Sequence, residues 1–257
     1  MTIRIKALPA FSDNYLWLLV NEKQATAAIV DPGSAAVCET FLEQENLELT
    51  AILITHHHWD HVGGIGQLTK HRQIPVFGPA AEHINGVNRS LAGGDHVKLP
   101  ALGIEFEVLD LGGHTAGHIG YLADKLLFCG DTLFSAGCGR LFDGTAAQLH
   151  DSLARIQRLP GDTLIYCAHE YTLDNLKFAQ AVEPDNPAIL QRITEVSALR
   201  ADKQPSLPVS LAMEQQYNPF LRTDQENIMQ AVTAHSGQHI ENSADCFKYL
   251  RMWKDGF

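Results

Sequence analysis

Over the first two-thirds of the chain, short apolar runs alternate with turns marked by glycine and proline. Tyr15–Val20, Ala27–Val30, Ala51–Ile54, Val76–Phe77, Ile104–Leu109, Lys125–Cys129 and Thr163–Cys167 are short and β-prone, so they predict strands. The second ends at Asp31-Pro32-Gly33, a strong turn signal. Between some of them the apolar spacing is helical, as over Ala35–Gln44 and Ala146–Leu159. Strands and helices interspersed without strict alternation predict sheets covered by helices, an α/β or α+β layer arrangement.

Beyond residue 172 the texture changes. Leu173, Leu176 and Gln180 open a helical pattern, and Ile189, Ile193, Val196 and Leu199 mark one face of another. Thr223 and Glu226 read as a capping box ahead of Ile228, Met229 and Val232, with Gly237 as the stop. A last helix is expected from Ala244 to Lys254, and 184–187 and 204–208 read as connections. The division expected is a domain over 1–172 and a helical one over 173–257, with no internal repeat.

Composition narrows the function classes. With 257 residues, 45% hydrophobic and 19% charged, the chain is ordinarily globular and long enough for a sizeable core. No apolar stretch approaches the ~20 residues needed to span a bilayer. Residues 1–14 lack a basic segment followed by an apolar one, which argues against a secretory signal and for the cytoplasm. Cysteines at 38, 129, 138, 167 and 246 are odd in number and form no Cys-x-x-Cys pair, so neither a disulfide framework nor a thiolate metal site is expected. A formal net charge of −11 repels nucleic-acid phosphates and anionic lipid alike.

The chemistry concentrates in Thr55-His56-His57-His58-Trp59-Asp60-His61, directly after the apolar run Ala51–Ile54. Four His and one Asp within six residues cannot pack as ordinary core, because polar rings buried without partners cost several kcal/mol. In an extended segment His56 and His58 point the same way and can reach one ion. Asp60 and His61 follow at a turn, so they can serve a second. Imidazole and carboxylate without thiolate suit Zn, Fe, Mn or Co. A solvated histidine-rich loop is the plainer alternative. Three further candidates sit at or just after apolar strands: His114 after 107–113, Asp131 after 126–130 and His169 after 164–168. Strand ends on a rigid sheet can hold a constellation in place.

His-x-His-x-Asp-His followed by a later His, an Asp and a final His resembles the metallo-β-lactamase superfamily, and the likeness covers essentially the whole chain. More narrowly, Cys129-Gly130-Asp131-Thr132-Leu133-Phe134, Cys138-Gly139-Arg140-Leu141-Phe142-Asp143-Gly144 and Cys167-Ala168-His169-Glu170-Tyr171-Thr172 resemble the hydroxyacylglutathione hydrolase (glyoxalase II) family. The resemblance implies a four-layer αβ/βα sandwich with a C-terminal helical domain. It assigns His56, His58 and His114 to one divalent ion and Asp60, His61 and His169 to a second, with Asp131 bridging. Zinc is the implied occupant, with iron or manganese as alternatives. His57 and Trp59 fall at variable positions, and His118 is expected to support the site rather than ligate. Leu111-Gly112-Gly113-His114 departs from the family's usual Thr-Pro-Gly-His.

The implied activity is hydrolysis of S-(2-hydroxyacyl)glutathione, S-D-lactoylglutathione above all, to glutathione and a 2-hydroxy acid. This is the second step of methylglyoxal detoxification. On this reading two ions a few Å apart would lower the pKa of a shared water towards neutrality, and the hydroxide so formed would attack. A thiolate leaving group has a conjugate-acid pKa near 8.5, so it departs without a dedicated general acid. By the same resemblance Arg140, Tyr171, Arg251 and Lys254 hold the glutathione moiety. Arg251 and Lys254 share a helix face and also suit a helix C-terminus, and Arg140 also suits a structural ion pair. Phe142 stands where some relatives have Tyr, so a hydroxyl contact is missing there. Another reaction of the same fold and a non-catalytic metal scaffold are the competing readings. No nucleic acid, membrane or obligatory protein partner is implied.

Overall fold

The computed structural model describes residues 3–257, which form two compact units. One runs to Asp110 and resumes over Gly117–Gly130; the other comprises Leu111–Ala116 and Asp131–Phe257.

The first unit opens with β1 (Arg4–Ala10), β2 (Asn14–Asn21) and β3 (Thr26–Val30), paired antiparallel in that order. Then come α1 (Ala35–Gln44), β4 (Glu48–Leu53), the short helices α2 (Trp59–Val62) and α3 (Ile65–Thr69), β5 (Val76–Pro79) and β6 (Arg89–Leu91). From β3 to β6 the strands run parallel, which the crossover through α1 permits and a hairpin would not. Every residue of β2 is buried because both faces of this sheet are covered. Leu16, Leu18 and Val20 share a core with Ala35, Cys38 and Leu42 of α1. Each fully buried Leu or Val contributes about 1.5–3 kcal/mol relative to exposure.

The unit's second sheet is an antiparallel run of β7 (His96–Leu99), β8 (Ile104–Asp110), β9 (Ile119–Ala123) and β10 (Leu126–Gly130). Polar groups stitch the two sheets. The Tyr121 hydroxyl donates to the Ile54 carbonyl at 2.7 Å, and Asn21 and Thr26 both donate to the Ala101 carbonyl at 3.0 Å.

The second unit carries a two-strand hairpin, β11 (Leu133–Phe134) and β12 (Gly137–Cys138), then α4 (Ala146–Gln157) and β13 (Leu164–Cys167). A full capping box of Thr145 and Gln148 starts α4. The helical tail follows as α5 (Thr172–Val182) and α6 (Pro187–Ala201), β14 (Val209–Ser210) paired on β13, then α7 (Leu211–Tyr217), α8 (Glu226–Ser236) and α9 (Ser243–Asp255). The change of texture at residue 172 coincides with the start of α5. Ala136, Leu176, Ala179, Ile189, Val196 and Tyr217 form the core beneath it.

The capping box expected at Thr223 and Glu226 does not form. Gln225 is the N-cap of α8 without a side-chain cap bond, and the Thr223 hydroxyl lies 2.7 Å from that of Ser243 instead. That bond ties the entry of α8 to the entry of α9. Among the described residues, no helix is long and apolar enough to cross a membrane.

Candidate metal centre

Strand β4 delivers its last apolar residues into the first sheet, and the chain beyond it is held open by a buried carboxylate. Asp31, at the end of β3, accepts the Thr55 amide at 2.8 Å, the Thr55 hydroxyl at 2.8 Å and His61 Nδ1 at 3.0 Å. It sits at φ +52°, a left-handed conformation that Asp tolerates better than most residues. These bonds fix tautomers. The Thr55 hydroxyl gives its hydrogen to Asp31, so it must accept from His56 Nδ1, 3.0 Å away. His56 and His61 therefore both carry their ring proton on Nδ1 and leave the Nε2 lone pair for a ligand.

His56 Nε2 faces His58 Nδ1 at 3.0 Å, and Asp60 Oδ2 lies 3.4 Å from His61 Nε2. Asn14, from the start of β2, donates to that same Asp60 oxygen at 2.8 Å. Gly33 allows the approach of this segment, because a Cβ there would stand 1.7 Å from the Asp60 carbonyl oxygen. His57 turns away and pairs with Glu82 at 2.8 Å. His118 is buried and stacks on the His56 ring at 4.7 Å.

The second unit holds the remaining three candidates. The Asp131 carboxylate faces two rings at once: His114 Nε2 is 3.4 Å from Oδ2, and His169 Nε2 is 3.4 Å from Oδ1. His114 Nδ1 lies 2.7 Å from the Arg140 carbonyl, which can only accept, so here too the Nε2 lone pair points towards the carboxylate. Gly139 is required because a Cβ would stand 2.0 Å from the Asp131 carbonyl oxygen. Phe142 packs edge-on against His114, and Tyr171 stacks parallel on His169 at 4.7 Å and 5°. Imidazole lone pairs locked towards carboxylates, with no thiolate, are a donor set that fits divalent cations.

The four groups expected to bind an anionic ligand also lie in this unit. Arg140 is exposed, with Nε 3.3 Å from Asp255 Oδ1. Tyr171 is the N-cap of α5. Arg251 is buried: Nη1 donates to the Cys138 carbonyl at 3.0 Å and Nη2 to Asp255 Oδ1 at 3.0 Å. Lys254 lies over the Phe178 ring at 5.1 Å, and burial followed by the Arg251 charge holds its ammonium below the usual lysine range. Asp31, Asn14 and Thr55 were absent from the candidates read in the sequence. The only signal for Asp31 was a turn motif, which says nothing of donors 24 and 30 residues away.

The metallo-β-lactamase superfamily model matches residues 13–169, and that of the hydroxyacylglutathione hydrolase C-terminus matches 170–257. The chain is 52% identical to the hydroxyacylglutathione hydrolase of Pseudomonas savastanoi and 48% identical to that of Shewanella halifaxensis, over 99% of this chain and all of each relative. Among solved structures, it is similar to ETHE1 from Myxococcus xanthus (TM-score 0.66, 24% identity, complete coverage of both chains). It is also similar to TTHA1623 in a di-iron-bound form (TM-score 0.53, 26% identity, 65% of this chain and 91% of that one).

Proposed function

The chain belongs to the hydroxyacylglutathione hydrolases of the metallo-β-lactamase superfamily, and from that premise we propose how its residues hydrolyse S-(2-hydroxyacyl)glutathione, S-D-lactoylglutathione in particular. It is a metal-dependent thioester hydrolase, and the products are glutathione and a 2-hydroxy acid, D-lactate for the lactoyl thioester. The observation that carries this reading is the Asp131 carboxylate, whose two oxygens each face the Nε2 of a different histidine. That is the arrangement a carboxylate needs to serve two cations.

We assign His56, His58 and His114 to one divalent ion, Asp60, His61 and His169 to the other, and Asp131 to both. When bound, such a pair acidifies a water and polarises a carbonyl. The chain's own contribution is orientation. Asp31 holds His61 and, through Thr55, His56 in the ligating tautomer; Asn14 turns Asp60; the Arg140 carbonyl turns His114. Zinc is the proposed occupant, and the same donors suit iron or manganese.

We place the glutathione moiety on the region 173–257 and its flank: Arg140 and Lys254 supply cations, Tyr171 a ring, and Arg251 a buried charge that also shapes the Cys138–Gly139 turn. The functional division we propose is 1–172 and 173–257; the junction of the two family models, at 169/170, lies near that boundary and supports it. A thiolate leaves with little protonation, which suits a site built of metal ligands without a separate acid. All five cysteines are buried thiols outside any disulfide, which supports the cytoplasm as the working compartment.

The deciding experiment follows loss of the S-D-lactoylglutathione thioester before chelation, after it, and after a divalent metal is restored. Turnover should vanish and return. A protein that holds metal yet leaves the thioester intact would refute the reading.

A further inference from the structure

Two aromatic rings stand in solvent beside the ligand segment of the first unit. Trp59, between His58 and Asp60, is 67% exposed, and Phe11, in the β1–β2 turn, is 51% exposed. Their rings meet edge-to-face at 4.8 Å. Phe11 sits at φ +51°, which a bulky residue rarely adopts and which tends to be kept at functional positions. Its ring edge lies 3.0 Å from where a Gly33 Cβ would be, so the same glycine that admits the Asp60 carbonyl admits this ring. The turn is tied to the ligand segment a second time by the Asn14 bond to Asp60. A strained backbone that holds an aromatic outward beside the ligands is not explained by core packing.

We propose that Phe11 and Trp59 form the wall that selects the acyl group of the substrate, gripping its hydrocarbon part; the inference rests on the thioesterase reading above. The choice between the two halves of the substrate follows from charge. The glutathione half carries two carboxylates, and the turn offers no cation: Ala10 precedes Phe11 and Ser12 and Asp13 follow it, with the Ser12 hydroxyl 2.7 Å from the Asp13 carboxylate. An acidic turn repels that half and leaves the uncharged 2-hydroxyacyl group as the partner of matching chemistry.

The test uses the metal-loaded enzyme and three thioesters with the same 2-hydroxyl but growing hydrocarbon: S-glycolyl-, S-lactoyl- and S-mandeloylglutathione. In Trp59→Ala and in Phe11→Gly, which removes ring and backbone strain together, kcat/KM should fall about 10-fold or more for the mandeloyl ester and least for the glycolyl ester. Bound metal should stay at the wild-type stoichiometry, and Trp59→Phe should restore most of the preference. An equal loss for all three thioesters, or loss of metal, would assign the rings to support of the ligand segment and overturn the proposal. So would an unchanged preference. Wild-type protein inert to all three would instead remove the thioesterase reading on which the proposal stands.

Discussion

Glu214 offers a test of how the second unit holds its hairpin. The side chain is fully buried and takes four donors: the Ser135 hydroxyl at 2.6 Å and Tyr217 hydroxyl at 2.7 Å on Oε1, the Ala136 amide at 2.8 Å and Asn218 Nδ2 at 3.0 Å on Oε2. These bonds fix the β11–β12 turn, where Ala136 sits at φ +57°, and so fix Phe134 against His169 and Tyr171. Replacement by Ala strands the Ala136 amide, which costs about 1–3 kcal/mol. It also leaves a cavity, so the total is about 3–5 kcal/mol. At roughly 2–4 °C per kcal/mol for a chain of this size, the melting temperature should fall by about 6–20 °C. Glu214→Gln is different. Its oxygen can keep the amide donors while its NH2 donates to the two hydroxyls, so it should stay within about 1 kcal/mol of wild type at neutral pH.

The pH dependence separates charge from shape. Burial is the largest influence on Glu214 and pushes its carboxyl above the usual range, with the four donors pulling it partway back. A folded-state pKa above the unfolded one favours the folded state fully at pH below about 4.3, and the benefit drains away as pH rises through the raised value. Wild type should thus lose stability relative to Glu214→Gln as pH rises, by at most about 1.4 kcal/mol per unit. Calorimetry of both variants across pH 5–8 measures it, and taking the difference cancels titrations the two proteins share. Equal destabilisation in Gln and Ala, or parallel pH profiles for Gln and wild type, would refute the reasoning.

Three other substitutions probe the proposed roles. Asp31→Asn keeps the shape but loses the charge that orients His61, and metal affinity by competition with a chromophoric chelator should weaken about 10–100-fold. Lys254→Met should raise KM for the glutathione thioester by about 10-fold with metal content unchanged, the scale of one charged hydrogen bond. In wild type KM should also climb with pH before the ordinary lysine value of about 10.4 is reached, because burial and Arg251 lower the pH at which this ammonium loses its charge; the variant should lack that limb. Arg251→Ala should lower stability by about 2–4 kcal/mol in thermal unfolding besides raising KM, since it leaves the Cys138 and Gly139 carbonyls without their buried donor.

What could be read in the chain was what local spacing encodes. Four histidines and an aspartate in six residues mark a candidate metal segment, and β2, β4 and β10 are apolar enough to declare themselves. Strand β1 did not, because Arg4 to Ala7 are only half-buried and Pro9 interrupts the pattern; its register comes from β2. The hairpin β11–β12 is two residues a side and owes its shape to Glu214 and Asn218, some 80 residues on.

Spacing reports which residues share a face, and it stops short of depth. Arg251 and Lys254 sit three apart on α9, yet one guanidinium is sealed against backbone carbonyls while the other cation lies half-buried over an aromatic ring. The same limit hid Asp31. Its residue type and its turn were plain, but the job of a carboxylate is set by the donors that reach it, and those arrive from Thr55 and His61 on a different strand's exit. The residues proposed as ligands therefore stand out in the chain that carries them, whereas the residues that aim them become legible only when the fold brings their donors into range.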